Sequence, residues 1–303
     1  MADQDRRAAL DGVLRPWPAP AKINLFLRVV GRRADGYHLL QTQFQFLDLA
    51  DRVWLAVRRD GHIRRLRPLP GVPETADLAW RAAAALKEAA GLSLGVDLAV
   101  DKRIPMGGGL GGGSSDAATV LRVLNRLWGL DWPRERLAAL GLALGADVPV
   151  FVFGRAAWAE GVGERLTARD ADERPVLVVA PPVAVSTPAL FADPALPRDA
   201  PPLDPAAADP EALENAFEPL VRARHPEIAA AFDWFAARGR RARLSGSGGC
   251  LFVDYPSAEA AAAERAAFLA GRDGAWRAFV TRRLNRSPLE RALERSAPGG
   301  RLG

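Results

Sequence analysis

Six glycines in two triplets around one leucine, in PMGGGLGGGSSDAATVL from Pro105 to Leu121, constrain this chain more than any other segment. Glycine reaches backbone conformations closed to other residues, so successive amides here can converge on one point. The residues that follow are apolar at helical spacing, through Ala117, Val120, Leu121, Leu124 and Leu127, with Gly129 as a stop. Ser114 or Ser115 is positioned to cap that helix. A glycine run opening a helix offers unpaired N–H groups and the positive end of the helix dipole, a combination suited to phosphate. It is not a Walker A loop, because no Gly-Lys-Ser/Thr follows, nor the tight strand-to-helix turn of a dinucleotide fold. Pro105, Met106, Gly107, Gly108, Gly109, Leu110, Gly111, Gly112, Gly113, Ser114 and Ser115 are therefore the candidate nucleotide-phosphate residues, and the serine hydroxyls can also face a metal. The competing reading, a flexible linker, leaves the fused amphipathic helix unexplained.

Composition narrows the classes around this loop. A chain of 303 residues has room for two domains with full cores. Its formal charge of +5 is modest and its basic residues are scattered among acids, so nucleic-acid binding has no support and a small anionic ligand does. One cysteine, Cys250, excludes an internal disulfide and makes a cysteine-ligated cluster implausible. The N-terminus carries early acids and lacks an apolar signal core, and no stretch approaches the roughly 20 apolar residues of a membrane span. A cytoplasmic protein is expected. Only three of the 41 basic residues are lysines, Lys22, Lys87 and Lys102, and two of those fall in chemistry-bearing segments.

Strands and helices alternate along the sequence with hairpin-like turns, which predicts mixed α+β architecture rather than a purely parallel sheet. Residues 1–16 read as a mobile arm, Lys22 to Val30 as a strand, and a second strand carries Phe44, Phe46 and Leu47. A helix is expected from a cap at Thr75 to Ala90, a strand over Val96 to Val100, and a helix after Pro133. Asp147 is expected to open an apolar strand, VPVFVF, with Pro149 holding Val148 extended. Beyond a polar connector come a strand over Val176 to Ala180 and a proline-rich stretch from Pro181 to Pro210, long enough to wrap the surface or cover a site. Helices near Glu211–Val221 and Pro226–Ala237, strand CLFVDY, an alanine-rich helix from Ser257 and strand WRAFV follow. The tail APGGRLG reads as disordered.

A proline before a Gly-Leu-Gly run with paired serines resembles the phosphate loop of the galactokinase, homoserine kinase, mevalonate kinase and phosphomevalonate kinase family. Four segments resemble, in order from about Pro18 to Leu293, the branch acting on a cytidine-diphosphate-linked methylerythritol of the non-mevalonate isoprenoid pathway. They are PAPAKINLFLRVVGRRADGYHLLQT, MGGGLGGGSSDAA, LGADVPVFVFGRAAWAEGVGE and LSGSGG. The resemblance implies an ATP- and Mg²⁺-dependent kinase for a small alcohol, with its active site in a cleft between two domains. Residues 1–160 would carry the loop and catalytic residues. Residues 161–303 would form the second domain, whose last residues either return to the first or are disordered.

By the same resemblance Asp147 is the catalytic base and Lys22 its partner, each with a plain alternative as a turn residue and a solvated strand residue. Asn24, two residues on from Lys22 and on its strand face, is placed near the substrate hydroxyl. Tyr37, His38 and Phe191 are implied to hold the cytidine, although a structural His38 and a core Phe191 remain open. Lys102 is implied near the nucleotide, or is solvated. Ser245 to Gly249 matches a late turn packed near the phosphate loop. Where the family commonly has Asn-Leu, this chain has Asp77-Leu78, exchanging a donor-acceptor amide for an acceptor-only carboxylate. The metal ligands are undetermined, and either a monomer or a homodimer is expected. Two rivals remain: a kinase of another alcohol such as mevalonate or homoserine, and a nucleotide-binding protein without catalysis.

Overall fold

A long second strand organises the molecule. In a computed structural model, which describes residues 16–272 and 274–296, β1 (Trp17–Arg32) is followed by β2 (His38–Arg58), which runs for 21 residues. The strand β3 (Ile63–Arg65), helix α1 (Leu78–Ala90) and strand β4 (Gly95–Asp101) come next, then helices α2 (Gly112–Leu127), α3 (Arg134–Leu142) and α4 (Val148–Phe153). The chain continues through β5 (Ala157–Glu160), β6 (Arg165–Ala168), β7 (Pro175–Ala180), α5 (Thr187–Ala192), α6 (Glu218–Arg224) and α7 (Pro226–Ala236). It closes with β8 (Arg243–Leu244), β9 (Leu251–Asp254), α8 (Ala258–Leu269), β10 (Arg277–Leu284) and α9 (Pro288–Arg295). β2 pairs with β1, β4, β5 and β10, and the order β3-β4-β2-β10-β7-β9-β8 makes one sheet. Among the described residues only the β3–β4 ladder is parallel. The architecture is α+β.

Three apolar clusters fill it. The first lies between β2, β4 and helices α1 to α4, and takes in Leu289 and Leu293 of α9. The second joins Leu177 and Val179 of β7 to Phe217, Phe232, Phe235 and Phe268. A third, smaller cluster bridges them: Ile23, Leu25, Val178, Cys250 and Phe252 enclose Ile104 and Leu110. Leu110 sits in the middle of the glycine run and is buried, so an apolar anchor seats a loop that otherwise has no side chains to hold it. Among the described residues no helix is long and apolar enough to cross a membrane.

Several elements depart from expectation. VPVFVF is a helix, not a strand: a six-residue apolar run carries no periodicity that separates the two, and Pro149 in the first turn costs a helix nothing because that N–H has no partner anyway. The helix expected from Thr75 is capped instead by Asp77, whose carboxylate accepts from Ala79 N–H, while residues 74–76 form a separate 3₁₀ turn. The helix expected from Glu211 begins only at Glu218, because buried Asn215 holds a turn, accepting from Phe217 N–H and donating to the Leu244 and Gly246 carbonyls. The strand in WRAFV runs on to Leu284. The arm at 1–16, apart from Pro16, and the tail APGGRLG lie outside the described residues.

Candidate active site

Neither serine caps the helix after the glycine run. Gly111 takes that place at φ 71°, a left-handed conformation that favours glycine, and Ser114 and Ser115 fall in the first turn of α2. Ser115 N–H is bonded to Gly111 O at 2.8 Å, so the amides ahead of it have no acceptor within the helix. The loop cannot carry side chains at its contacts. A Cβ on Gly111 would lie 2.8 Å from the Phe151 ring and 3.2 Å from Lys22 Cε, and one on Gly109 would lie 2.1 Å from Ser245 O. The turn Ser245–Gly249 packs backbone to backbone on this loop: Ser245 Oγ donates to Gly109 O at 3.1 Å and Cys250 N to Gly108 O at 3.0 Å.

Lys22 enters from β1, which is fastened to the loop where Lys22 N donates to Leu110 O at 3.0 Å. Its ammonium is almost wholly buried and lies 3.3 Å from the Asp147 carboxylate, which is 36% exposed at the start of α4. Lys22 Nζ also donates to Asn24 Oδ1 at 2.6 Å and stands 5.2 Å from the centre of the Phe44 ring. Asn24 Nδ2 donates to Thr42 Oγ at 2.9 Å, and that hydroxyl donates to Phe26 O. The chain of donors fixes the Asn24 amide, and through it the lysine, before any ligand arrives.

Two cavities meet at the loop. The larger, about 710 Å³, is lined by Lys22, Asn24, Asp147, Tyr37, His38 and Phe191, among others. The smaller, about 350 Å³, lies between the loop and the start of α1, with Asp77, Leu78 and Lys102 in its wall. Gly107, Gly109 and Ser114 line both. At the far end of the larger cavity the His38 and Phe191 rings stand 4.9 Å apart at 32°, and Phe191 meets Phe217 edge-on at 4.8 Å. Tyr37 is 63% exposed beside them.

A GHMP kinase N-terminal domain matches residues 77–155, and a GHMP kinase C-terminal domain matches residues 198–271. The 4-diphosphocytidyl-2-C-methyl-D-erythritol kinase of Halorhodospira halophila is 52% identical over 287 residues, covering 94% of this chain and 98% of the relative. That of Xanthomonas euvesicatoria is 55% identical over 295 residues, covering 96% and 98%. This chain belongs to that kinase family, within the GHMP kinases. A crystal structure of a 4-(cytidine 5'-diphospho)-2C-methyl-D-erythritol kinase superposes with a TM-score of 0.75 at 37% identity, over 89% of this chain and 99% of that one. The protein is accordingly an ATP-dependent small-molecule kinase.

Within this GHMP kinase, structure adds residues that the sequence did not single out. Lys102 lines the smaller cavity, yet its ammonium is already engaged: it donates to Asp51 and, at 2.7 Å, to Asp116, both buried. Asp51 also accepts from the Arg103 and Ile104 amides, the latter at 2.8 Å. The cluster thus ties the entry to the glycine loop to the helix that leaves it. Burial pushes Asp116 up to about 8 against the pull of Lys102, with Asp51 adding to the rise. Lys102 itself is raised, since Asp116 and Asp51 outweigh the cost of burial. Asp77 is paired with Arg65 at 3.2 Å, so the departure from Asn brings its own counter-charge. Arg198, from the proline-rich stretch, reaches His38 across 160 positions. Of these only Asp116 carries a local signal, a carboxylate directly ahead of the apolar run from Ala117 that needs a partner once the helix packs.

Proposed function

We propose that this chain transfers the terminal phosphoryl group of ATP to the 2-hydroxyl of 4-diphosphocytidyl-2-C-methyl-D-erythritol, with Mg²⁺ as the metal. The observation that carries the reading is the division of labour between the two cavities. The loop residues Gly107, Gly109 and Ser114 face both, whereas Lys22 and Asp147 face only the larger one. A nucleotide in the smaller cavity, its phosphates over the loop amides from Gly107 to Ser114, presents its last phosphate to an alcohol beside Asp147; the Ser115 amide, expected among them, is already taken by Gly111 O. Asp147 orients the hydroxyl and takes its proton as the oxygen attacks phosphorus and ADP leaves. Lys22, held by Asn24 and the Phe44 face, keeps the carboxylate aligned and meets the charge that develops. Tyr37, His38 and Phe191 receive the cytosine, where aromatic faces suit a flat base.

The donors fit a hard cation that is mainly bound to phosphate. Among the described residues no group of three or more His, Cys, Asp or Glu forms a cation cage, and Mg²⁺ characteristically needs none, keeping waters and phosphate oxygens. Ser115 Oγ is buried without a hydrogen-bond partner and Ser114 faces both cavities. The Ser114 hydroxyl would supply the protein's oxygen ligand, whereas Ser115 lines neither cavity. Mg²⁺ there would neutralise charge on the transferring group. Lys102 acts through Asp51 and Asp116, holding the loop in shape.

Transfer of labelled phosphate from ATP to the cytidyl substrate tests the assignment. Wild-type protein that phosphorylates mevalonate or homoserine but not this alcohol removes the substrate. With Asp147→Asn, kcat falls about 10²–10⁴-fold and the KM for ATP holds. A variant within tenfold of wild type, about 1.4 kcal/mol in the barrier, would remove Asp147 as the base.

A further inference from the structure

His38 is gripped by a residue that nothing in its sequence neighbourhood announces. Arg198 Nε lies 3.1 Å from His38 Nε2. The same guanidinium is fastened on its other sides, with NH2 donating to the carbonyls of Phe191 at 2.9 Å and Asp193 at 2.7 Å, and NH1 to Leu196 O at 3.0 Å. It therefore joins the segment bearing Phe191 to the start of β2, and it cannot swing away without abandoning three carbonyls.

The chemistry of this contact has one solution. Arginine carries no acceptor and stays charged, so its Nε–H donates and His38 Nε2 accepts. A neutral imidazole whose Nε2 accepts carries its proton on Nδ1. We propose that Arg198 is a positioning residue for base recognition, fixing His38 as the neutral Nδ1–H tautomer so that the ring offers a single donor to an acceptor edge of the substrate. The inference rests on the cytidyl-substrate reading of the same cavity. Cytosine N3 is an acceptor where uracil N3 carries a hydrogen, so a ring locked as a donor favours the first and opposes the second.

The electrostatics agree with the geometry. Burial, Arg198 and Arg32 all hold His38 below the ordinary histidine value, which keeps the ring uncharged. Arg32, at the end of β1, is itself anchored to Gly36 O at 3.1 Å. The carboxylate on the same turn, Asp35, is taken up by Arg33 at 2.7 Å and by the Tyr37 amide at 3.2 Å. Phe191 stands against one face of the ring, 4.9 Å between centroids.

The test combines a spectroscopic and a kinetic readout on the full chain. The sequence holds three histidines, so long-range ¹H–¹⁵N correlations of the imidazoles can be assigned by comparison with His38→Gln. Wild type at neutral pH should show His38 protonated on Nδ1 only, and Arg198→Met should move it to Nε2–H or a mixture and raise its titration midpoint. Arg198→Lys, which keeps one donor, should retain the wild-type tautomer. In the kinase assay Arg198→Met should raise the KM for the cytidyl substrate about tenfold, narrow its preference over the uridyl analogue, and leave kcat and the KM for ATP within twofold. An Nε2–H or charged His38 in wild type, or a tautomer unmoved by Arg198→Met, overturns the proposal. So does a fall in kcat with KM unchanged. Should Arg198→Met fail to fold, the wild-type and Arg198→Lys spectra still decide. Absence of activity toward the cytidyl substrate would sink the functional reading and leave the tautomer result standing.

Discussion

The two ends of the large cavity are built on opposite plans. At the loop end backbone meets backbone: Gly109 lies against Ser245 and Gly248, and Gly248 against Gly108 and Gly109, at distances that admit no Cβ, and a buried Lys102–Asp51–Asp116 cluster ties the loop's entry to its exit. At the far end the wall is made of side chains, to which we assign base recognition: an exposed Tyr37, the His38–Phe191 ring pair and Arg198 brought in from the proline-rich stretch. A phosphate is the same in every nucleotide and can be met by amides whose direction is fixed by the fold. A particular base has to be told from its neighbours, and only side chains carry that distinction. Rigidity is thus concentrated where the ligand is generic, and variable chemistry where it is specific.

The sharpest way to break this comparison is to put a methyl group into the loop. Gly109→Ala places a Cβ 2.1 Å from Ser245 O at φ 81°, combining a backbone clash with left-handed strain, and should cost about 3 kcal/mol together with most kinase activity. Gly107 has a similar φ of 71° but open space around its Cβ, so Gly107→Ala should lose only about 1 kcal/mol. Equal melting temperatures for the two variants would mean that the close approach of loop and turn contributes nothing. Next in size is Asp51→Asn. It removes a buried counter-charge of Lys102 and weakens an acceptor of two amides, for an expected loss of about 3 kcal/mol by denaturant unfolding.

A perturbation of the far end should look different in kind. Tyr37 is exposed and its ring packs on no other described aromatic side chain. Tyr37→Ala should therefore leave the melting temperature nearly unchanged. Loss of a stacking face is worth about 1–3 kcal/mol per base, so the KM for the cytidyl substrate should rise about tenfold or more while the KM for ATP holds. A stability loss matching that of Asp51→Asn would show that Tyr37 is a structural residue after all.

The same division explains what could be read from sequence. The loop, its helix and the pairing of Lys22 with Asn24 on one strand face were legible because each depends on residues adjacent in the chain. The α+β class followed from alternating element types. VPVFVF was misread because six buried residues look alike as helix or strand, and Glu211–Val221 because Asn215 answers to Leu244 and Gly246, about thirty positions away. The cluster around Lys102 needs Asp51 from β2, and Arg198 needs His38, contacts of 51 and 160 positions that leave no mark on local pattern. Long-range side-chain pairing is where sequence reasoning ran out, at the site and equally in structural pairs such as Arg122 with Glu290, 168 positions apart.

Asp116→Asn acts on the loop end through pH, and its pH dependence separates the two ends. Burial raises the Asp116 carboxyl to about 8, against about 3.9 for an unfolded aspartate. Between those values the folded chain holds a proton that the unfolded chain has released, so stability from this group is full below about pH 4 and declines as pH rises toward 8. His38 has the opposite sign: its depressed pKa makes its contribution full above about 6.5, lost as pH falls through the folded value. Asn cannot titrate, so the variant loses the first slope and keeps the second. Melting curves of wild type and Asp116→Asn at pH 5, 6, 7 and 8 should therefore shift steadily in favour of the variant as pH rises. Parallel curves would mean that Asp116 is ionised in the fold, with Lys102 shared by two charged carboxylates, and would remove the protonated carboxyl from the account of how the loop is held.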